Sequence, residues 1–237
     1  MKNVFLAVLV LLSAILHAQD GTFHIGKLMV ARIGIQGGTC FVLNTTQKEF
    51  SEIFNPLPGY EVGGYAGVDF LKFLGVRLEA NYSMQRWDYN QVTDYTDPTN
   101  PAIYGDERIN MRNTEKWMRF PLMLSIIPNP RIRFNVGPEM NILRSSVGTG
   151  RIVYENGTIP ETIDNEVEVD YLQTLGDSYK KAFGGNAGVN VLFGDHFAAE
   201  IRANYTLNDL IYDYYLNEDN NKKIDQFTGR ILLRYEF

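Results

Sequence analysis

Cysteine, histidine and basic charge are all scarce in this chain. A single cysteine, Cys40, among 237 residues excludes an internal disulfide. Three histidines leave little material for a nucleophile-and-base arrangement. Lys and Arg number 22 against 28 Asp and Glu, a net charge of −6, which argues against a nucleic-acid binder, whose contact face is normally basic. Beyond Leu16 no long hydrophobic run occurs, and mean hydropathy is −0.19. An α-helical membrane protein is therefore excluded. A membrane β-barrel is not, because its apolar residues hide in alternation and leave the average unremarkable.

The one apolar run lies at the start. Met1-Lys2-Asn3 precedes Val4 to Leu16, and Leu16-His17-Ala18 follows. A basic start, an apolar centre and a small residue at the exit predict a secretory signal peptide over residues 1–18. The alternative, a membrane anchor, needs about 20 apolar residues, and this run is shorter. Cleavage after Ala18 or Gln19 leaves one β domain, residues 19–237.

What is abundant is alternation. From Gln226 to Phe237, Phe227, Ile231, Leu233, Tyr235 and Phe237 share one side of a period-two pattern, with Gly229 as the gap. Thr228, Arg230, Arg234 and Glu236 share the other. Such a pattern is a strand with one apolar face. Phe197 to Leu207 repeats it, with Ile201, Ala203 and Tyr205 opposite Glu200, Arg202 and Asn204. Val76, Leu78, Ala80, Tyr82 and Met84 oppose Arg77, Glu79, Asn81, Ser83 and Gln85. In an outer-membrane barrel the apolar face meets lipid and the charged face the lumen. Turning Arg202 to the bilayer midplane costs up to ~2–4 kcal/mol. A one-residue slip inverts every side chain, so one register is strongly preferred.

Taken in order, the pattern predicts strands over 27–36, 60–70, 75–87, 115–126, 131–147, 182–193, 197–207 and 226–237. Long segments join them at 37–59, 88–114, 148–181 and 208–224, alternating with short turns near 71–74, 127–130 and 194–196. Within 148–181, Glu166 to Tyr171 alternates weakly and predicts a strand extension above the membrane. Pro121 falls on the inward face of its strand, which predicts a bulge there. The expected fold is an all-β, eight-stranded antiparallel transmembrane β-barrel with short periplasmic turns and long extracellular loops. A soluble lipocalin-like barrel is the contrasting option, and its interior would be apolar. The 21 Gly, 14 Tyr and 14 Phe suit close strand packing and interfacial anchoring.

Several segments then carry a family likeness: Trp117-Met118-Arg119-Phe120-Pro121-Leu122, Val136-Gly137-Pro138-Glu139, Phe183-Gly184-Gly185-Asn186-Ala187-Gly188, Glu200-Ile201-Arg202-Ala203-Asn204-Tyr205 and the terminal Tyr235-Glu236-Phe237. Through them the chain resembles the PorT-like outer-membrane β-barrel family of Gram-negative bacteria. The likeness covers most of the mature chain. It implies a barrel in the cell outer membrane rather than an activity, and some members are implicated in protein-secretion assemblies.

The inward charges are read as Arg32, Asp69, Arg77, Glu79, Arg119, Arg131, Arg133, Glu139, Glu200, Arg202, Arg230, Arg234 and Glu236. They form either an ion path or a salt-bridged plug. Eight strands leave an interior that side chains just fill, and unpaired buried charge is expensive, so the plug is favoured. Neither His24 nor His196 stands with a Ser and an Asp in a way that suggests catalysis. Glu166 and Glu168 read as a solvated loop face. Asn217, Asp219, Asn221, Ile224 and Asp225 match part of a calcium-loop spacing, but Lys222 replaces the needed Gly and Thr228 the bidentate Glu. No catalytic, cofactor-binding or metal-ligating residue is assigned, and no cofactor. The reading is a non-enzymatic barrel with a closed lumen, a structural or accessory subunit working through its extracellular loops in a secretion or surface assembly. The alternative is a small-ligand binding or transport barrel. Expected partners are outer-membrane lipids and a protein of the outer membrane or cell surface.

Overall fold

The computed structural model describes residues 22–24, 29–44, 54–70, 72–159, 162–170, 181–206 and 226–237. They fold into strands β1 (Thr22–His24), β2 (Met29–Asn44), β3 (Phe54–Phe70), β4 (Leu74–Thr96), β5 (Tyr104–Asn129), β6 (Ile132–Glu155), β7 (Ile163–Asp170), β8 (Lys181–Phe193), β9 (Phe197–Thr206) and β10 (Gln226–Glu236). All pairings are antiparallel and belong to one 10-stranded sheet. The path runs β2-β10-β9-β8-β6-β5-β4-β3 and closes through β2–β3, while β1 and β7 pair off it. The closed ring of the described residues therefore has the eight strands that the alternation predicted. Closure leaves no ring strand with an open edge.

The faces follow the expected parity. Outward Ile201, Leu233, Leu78 and Val62 are exposed, whereas inward Glu200, Arg202, Arg230, Glu79 and Glu61 are buried. On the periplasmic side the turns are short, and Lys72 and Gly194 take positive φ there. Phe193, Phe197, Tyr235 and Phe237 pack edge to face or stacked, 5.2 to 6.2 Å between neighbouring centroids. They form part of the aromatic girdle expected at a membrane interface.

Five sequence-based expectations need correction. The segment 88–114 is not a loop: β4 and β5 pair continuously from Leu74↔Ile126 up to Thr96↔Tyr104, leaving only residues 97–103 as the tip. Its acidic residues suggested a loop because above the bilayer both faces of a strand are polar, which erases the apolar signal. Residues 37–44 likewise continue β2, and 54–59 open β3. Gly38 is accommodated because a Cβ there would strike the backbone of Ile231, so the strands approach unusually closely. In 148–181, β6 runs on to Glu155, and β7 spans Ile163–Asp170 against Val147 to Tyr154. Segments 45–53, 171–180 and 208–224 lie outside the described residues, as does the signal peptide.

The bulge predicted at Pro121 is absent. Leu78↔Leu122 and Asn81↔Arg119 keep one register across it, and Pro121 faces Glu139 on its other side. The missing N–H removes a donor without inserting a residue. The irregularity sits instead between Lys116 and Trp117, where Arg144 is the extra residue of β6. Finally, Arg131 is not inward. It is exposed in the β5–β6 turn, where the Asn129 side chain accepts from the backbone N–H groups of Arg131 and Ile132 at 2.9 and 3.0 Å.

Candidate functional site: the lumen and the raised hairpins

The period-two pleat sends one side chain in every two to the interior, and the ring brings those side chains together in layers. Nearest the periplasmic end, Arg32 bonds Asp69 and Glu236 at 2.6 Å each. Arg133 reaches the same two acids at 3.5 and 3.3 Å. Cation and anion thus alternate around four side chains.

The next layer centres on Glu79 and Glu200, both fully buried. Arg202 donates to Glu79 through both terminal nitrogens at 2.8 Å and to Glu200 at 2.9 Å. Arg77 and Arg234 each reach both carboxylates. Gln36 adds an amide donor to Glu79 at 2.8 Å. The Tyr65 ring lies under two of these cations, 5.6 Å from Arg77 and 5.0 Å from Arg234. It fits because Gly34 beside it has no Cβ to collide with the phenol.

Above stands a second pair of acids. Glu139 accepts from Arg230 at 2.7 and 2.9 Å and from Arg119 at 2.9 Å. Glu61 lies 3.4 Å from Arg230 and 3.9 Å from Arg119. The Arg119 guanidinium also sits 5.9 Å from the Trp117 ring centroid, within cation–π range. Glu115 takes the Trp117 indole N–H at 2.9 Å. Higher still Val42 packs on Trp87, with Tyr89 and Met111 also buried beside the polar Asn113.

Position in the ring gives these contacts their meaning. β4 and β9 stand four places apart in a ring of eight, so they are diametrically opposed. The Arg202–Glu79 bond therefore spans the full bore. In the low-dielectric interior such charges are tolerable only when paired and hydrogen-bonded, and here Glu79, Glu139 and Glu200 each have several donors, while Glu61 is held by the two ion pairs alone.

The predicted inward charges are brought together except Arg131. Interior residues absent from that list include Glu61, Glu115, Trp87 and Trp117. Parity was the signal for them, since Glu115 and Trp117 share a face with Arg119, and Glu61 with Tyr65. His196 sits in the β8–β9 turn, its Nδ1 2.9 Å from the Glu236 carbonyl and its ring 5.6 Å from that of Tyr235. His24 belongs to β1, whose backbone pairs it with Val30. Glu166 and Glu168 are exposed on β7, Glu166 lying 3.5 Å from Arg151. The partial calcium spacing at 217–225 lies outside the described residues. Among the described residues no group of His, Cys, Asp and Glu could hold a metal ion.

Above the membrane the β4–β5 hairpin and the β6–β7 pair rise together. Arg112 bonds Asp88 at 2.8 Å, Arg108 bonds Glu155 at 2.8 Å, and Asn156 donates to Asp106 at 2.7 Å. The Tyr95 and Tyr154 rings pack at a tilt of 58° with centroids 4.6 Å apart. Burial and the nearby Glu107 carboxylate push the Tyr154 phenol up to about 12. At the tip, Asp97 accepts from the Thr99 hydroxyl at 2.6 Å and the Thr99 N–H at 2.7 Å, which holds its carboxyl below the ordinary value.

A closed antiparallel ring, apolar outside and ion-paired within, defines a membrane-spanning β-barrel. Residues 18–212 match the outer membrane protein beta-barrel domain family. The chain belongs to that family and is a protein of the outer membrane. Similar solved structures include the attachment invasion locus protein Ail of Yersinia pestis, 10% identical over 90% of this chain and 100% of that one, TM-score 0.41. Neisserial surface protein A is 11% identical over 87% and 97%, TM-score 0.34. The outer membrane protease OmpT of Escherichia coli is 9% identical over 90% and 98%, TM-score 0.33. No curated protein matches the chain in sequence.

Proposed function

We propose that this barrel is a non-enzymatic structural or accessory subunit with a closed lumen, acting through its extracellular hairpins in a secretion or surface assembly. The observation that carries the closed lumen is the Arg202–Glu79 bond between opposed strands, capped by Val42 and Trp87. Opening a path would separate ion pairs across the whole bore, each costly to leave unpaired. With the interior filled, the surfaces left for recognition are the raised hairpins. Function on such proteins concentrates where loops are held by a rigid scaffold, and the ladder from Leu74↔Ile126 to Thr96↔Tyr104 is such a scaffold. The resemblance to PorT-like barrels supports an assembly role, and the partner is a protein of the outer membrane or the cell surface.

Two measurements test this together. Planar-bilayer recordings of the full barrel are expected to give no reproducible channels, and stable channels would favour the transport reading. Replacing residues 88–113 by a two-residue hairpin turn should leave heat-modifiable gel mobility intact while abolishing co-purification of the partner after mild detergent extraction. Retention of the same partner by the shortened barrel would defeat the assembly role.

A further inference from the structure

On four adjacent strands the outward face changes character at one height. Reading upward from the periplasmic turns, the last apolar outward residues are Met84 on β4, Met118 on β5, Ile142 on β6 and Phe183 on β8. The next outward residues are Arg86, Lys116, Arg144 and Lys181. Each stands about twelve residues above its turn, which at ~3.3 Å rise and ~40° tilt is roughly 30 Å. That is just above an apolar band of about 25 Å, at headgroup level.

Register places the four side by side. Lys116 pairs Met84 on one flank and Ser145 on the other, with Arg144 bulged out beside it, and Lys181 pairs Ile142. Lys116, Arg144 and Lys181 are exposed. Among the described residues neither Lys116 nor Arg144 makes an ion pair. Arg86 donates to the Pro58 carbonyl at 2.7 and 3.2 Å. The acids on this outer side are Asp88, which is paired to Arg112, Asp170, opposite Val147, and, one and two outward positions higher on β7, Glu168 opposite Thr149 and Glu166, which lies 3.5 Å from Arg151. On β2, a similar distance above its first residue, the outward residues are instead Phe41 and Leu43. The basic rim is therefore confined to one arc.

We infer that this arc binds the phosphate groups of an outer-leaflet phosphoglycolipid, its acyl chains lying on the apolar wall below. Lysine and arginine aligned with a headgroup plane gain from anionic phosphate, while the apolar positions beneath match the chains. An anion free in solution would lack that second contact.

The test uses the full barrel in zwitterionic phosphatidylcholine nanodiscs doped with diphosphoryl lipid A, with retained glycolipid counted by native mass spectrometry. Replacing Lys116, Arg144 and Lys181 together by Gln should weaken retention roughly a hundredfold. Lys72→Gln, in a periplasmic turn, should leave it unchanged. Heat-modifiable mobility verifies folding of every variant. Single Lys116→Gln and Arg144→Gln changes, each expected to weaken retention roughly fivefold, carry the same test if the triple variant fails to fold. Dephosphorylated lipid A should be retained no better than by the triple variant, and millimolar inorganic phosphate should not displace the glycolipid. Equal retention by wild type and folded variants, equal retention of the dephosphorylated lipid, or displacement by free phosphate would overturn the inference.

Discussion

Strand β5 belongs to two solvents, and its halves differ accordingly. Below Lys116 its outward residues are Met118, Phe120, Leu122, Leu124 and Ile126, and its inward ones include Arg119 and Ser125. Above Lys116 the outward face carries Arg112, Asn110 and Arg108, while Met111 is turned inside together with Asn113 and Glu115. The backbone ladder is the same throughout. What changes is the medium outside: lipid penalises an outward charge, whereas water above the bilayer welcomes one. Buried polarity inside the membrane zone thus comes from the same hydrophobic logic that buries apolar groups above it.

The hardest blow to this contrast is Glu79→Ala. It strips the shared acid from Arg77, Arg202 and Arg234, and removing one partner of a buried network costs about 3–5 kcal/mol. The urea midpoint of the barrel refolded in lipid vesicles should fall accordingly. A loss below about 1 kcal/mol, the size of an exposed pair, would mean that the lumen is wet at this layer.

Reversing the outer face comes second. Ile201 is 68% exposed, so Ile201→Arg puts a cation in lipid at a cost of about 2–4 kcal/mol. Spin labels placed singly at Ile201 and at Arg202 sharpen the comparison, because a lipid-soluble quencher should reach only the first. Equal quenching at both sites would contradict the register.

In the raised region the same chemistry should matter far less. Arg108→Ala breaks the exposed bond to Glu155, and such pairs contribute about 0–1 kcal/mol. The urea midpoint is expected to move little, and any change should vanish at high salt.

The smallest effect concerns the tip. The Asp97 carboxyl is held below its ordinary value by Thr99, so the turn's support is present above the unfolded carboxyl range and lost as pH falls through the lower, folded value. Amide exchange at Thr99 and Asn100 should quicken on acidification, and Asp97→Ala should remove that pH dependence. An unchanged profile in the variant would assign the effect elsewhere.

Alternation alone carried the sequence far. It placed Glu200, Arg202, Arg230 and Arg234 inside and Ile201, Leu233 and Val62 outside, and it located the ring strands and the short turns. These follow from the strand period and from the penalty for charge in lipid, which are local and visible in one strand at a time. Where the outer medium is water, the penalty disappears and so does the pattern. For that reason residues 88–114 read as a loop although all but the tip, 97–103, are paired strand.

Tertiary structure decided what no single strand contains. Partner choice in the lumen depends on ring closure, since Glu79 and Arg202 meet only because β4 and β9 face each other across the bore. Register with both neighbours decided that Pro121 sits without a bulge and that Arg144 supplies one. The outer basic arc has the same origin. Arg86, Lys116, Arg144 and Lys181 are scattered over nearly a hundred residues of chain, and only antiparallel pairing aligns them at one height.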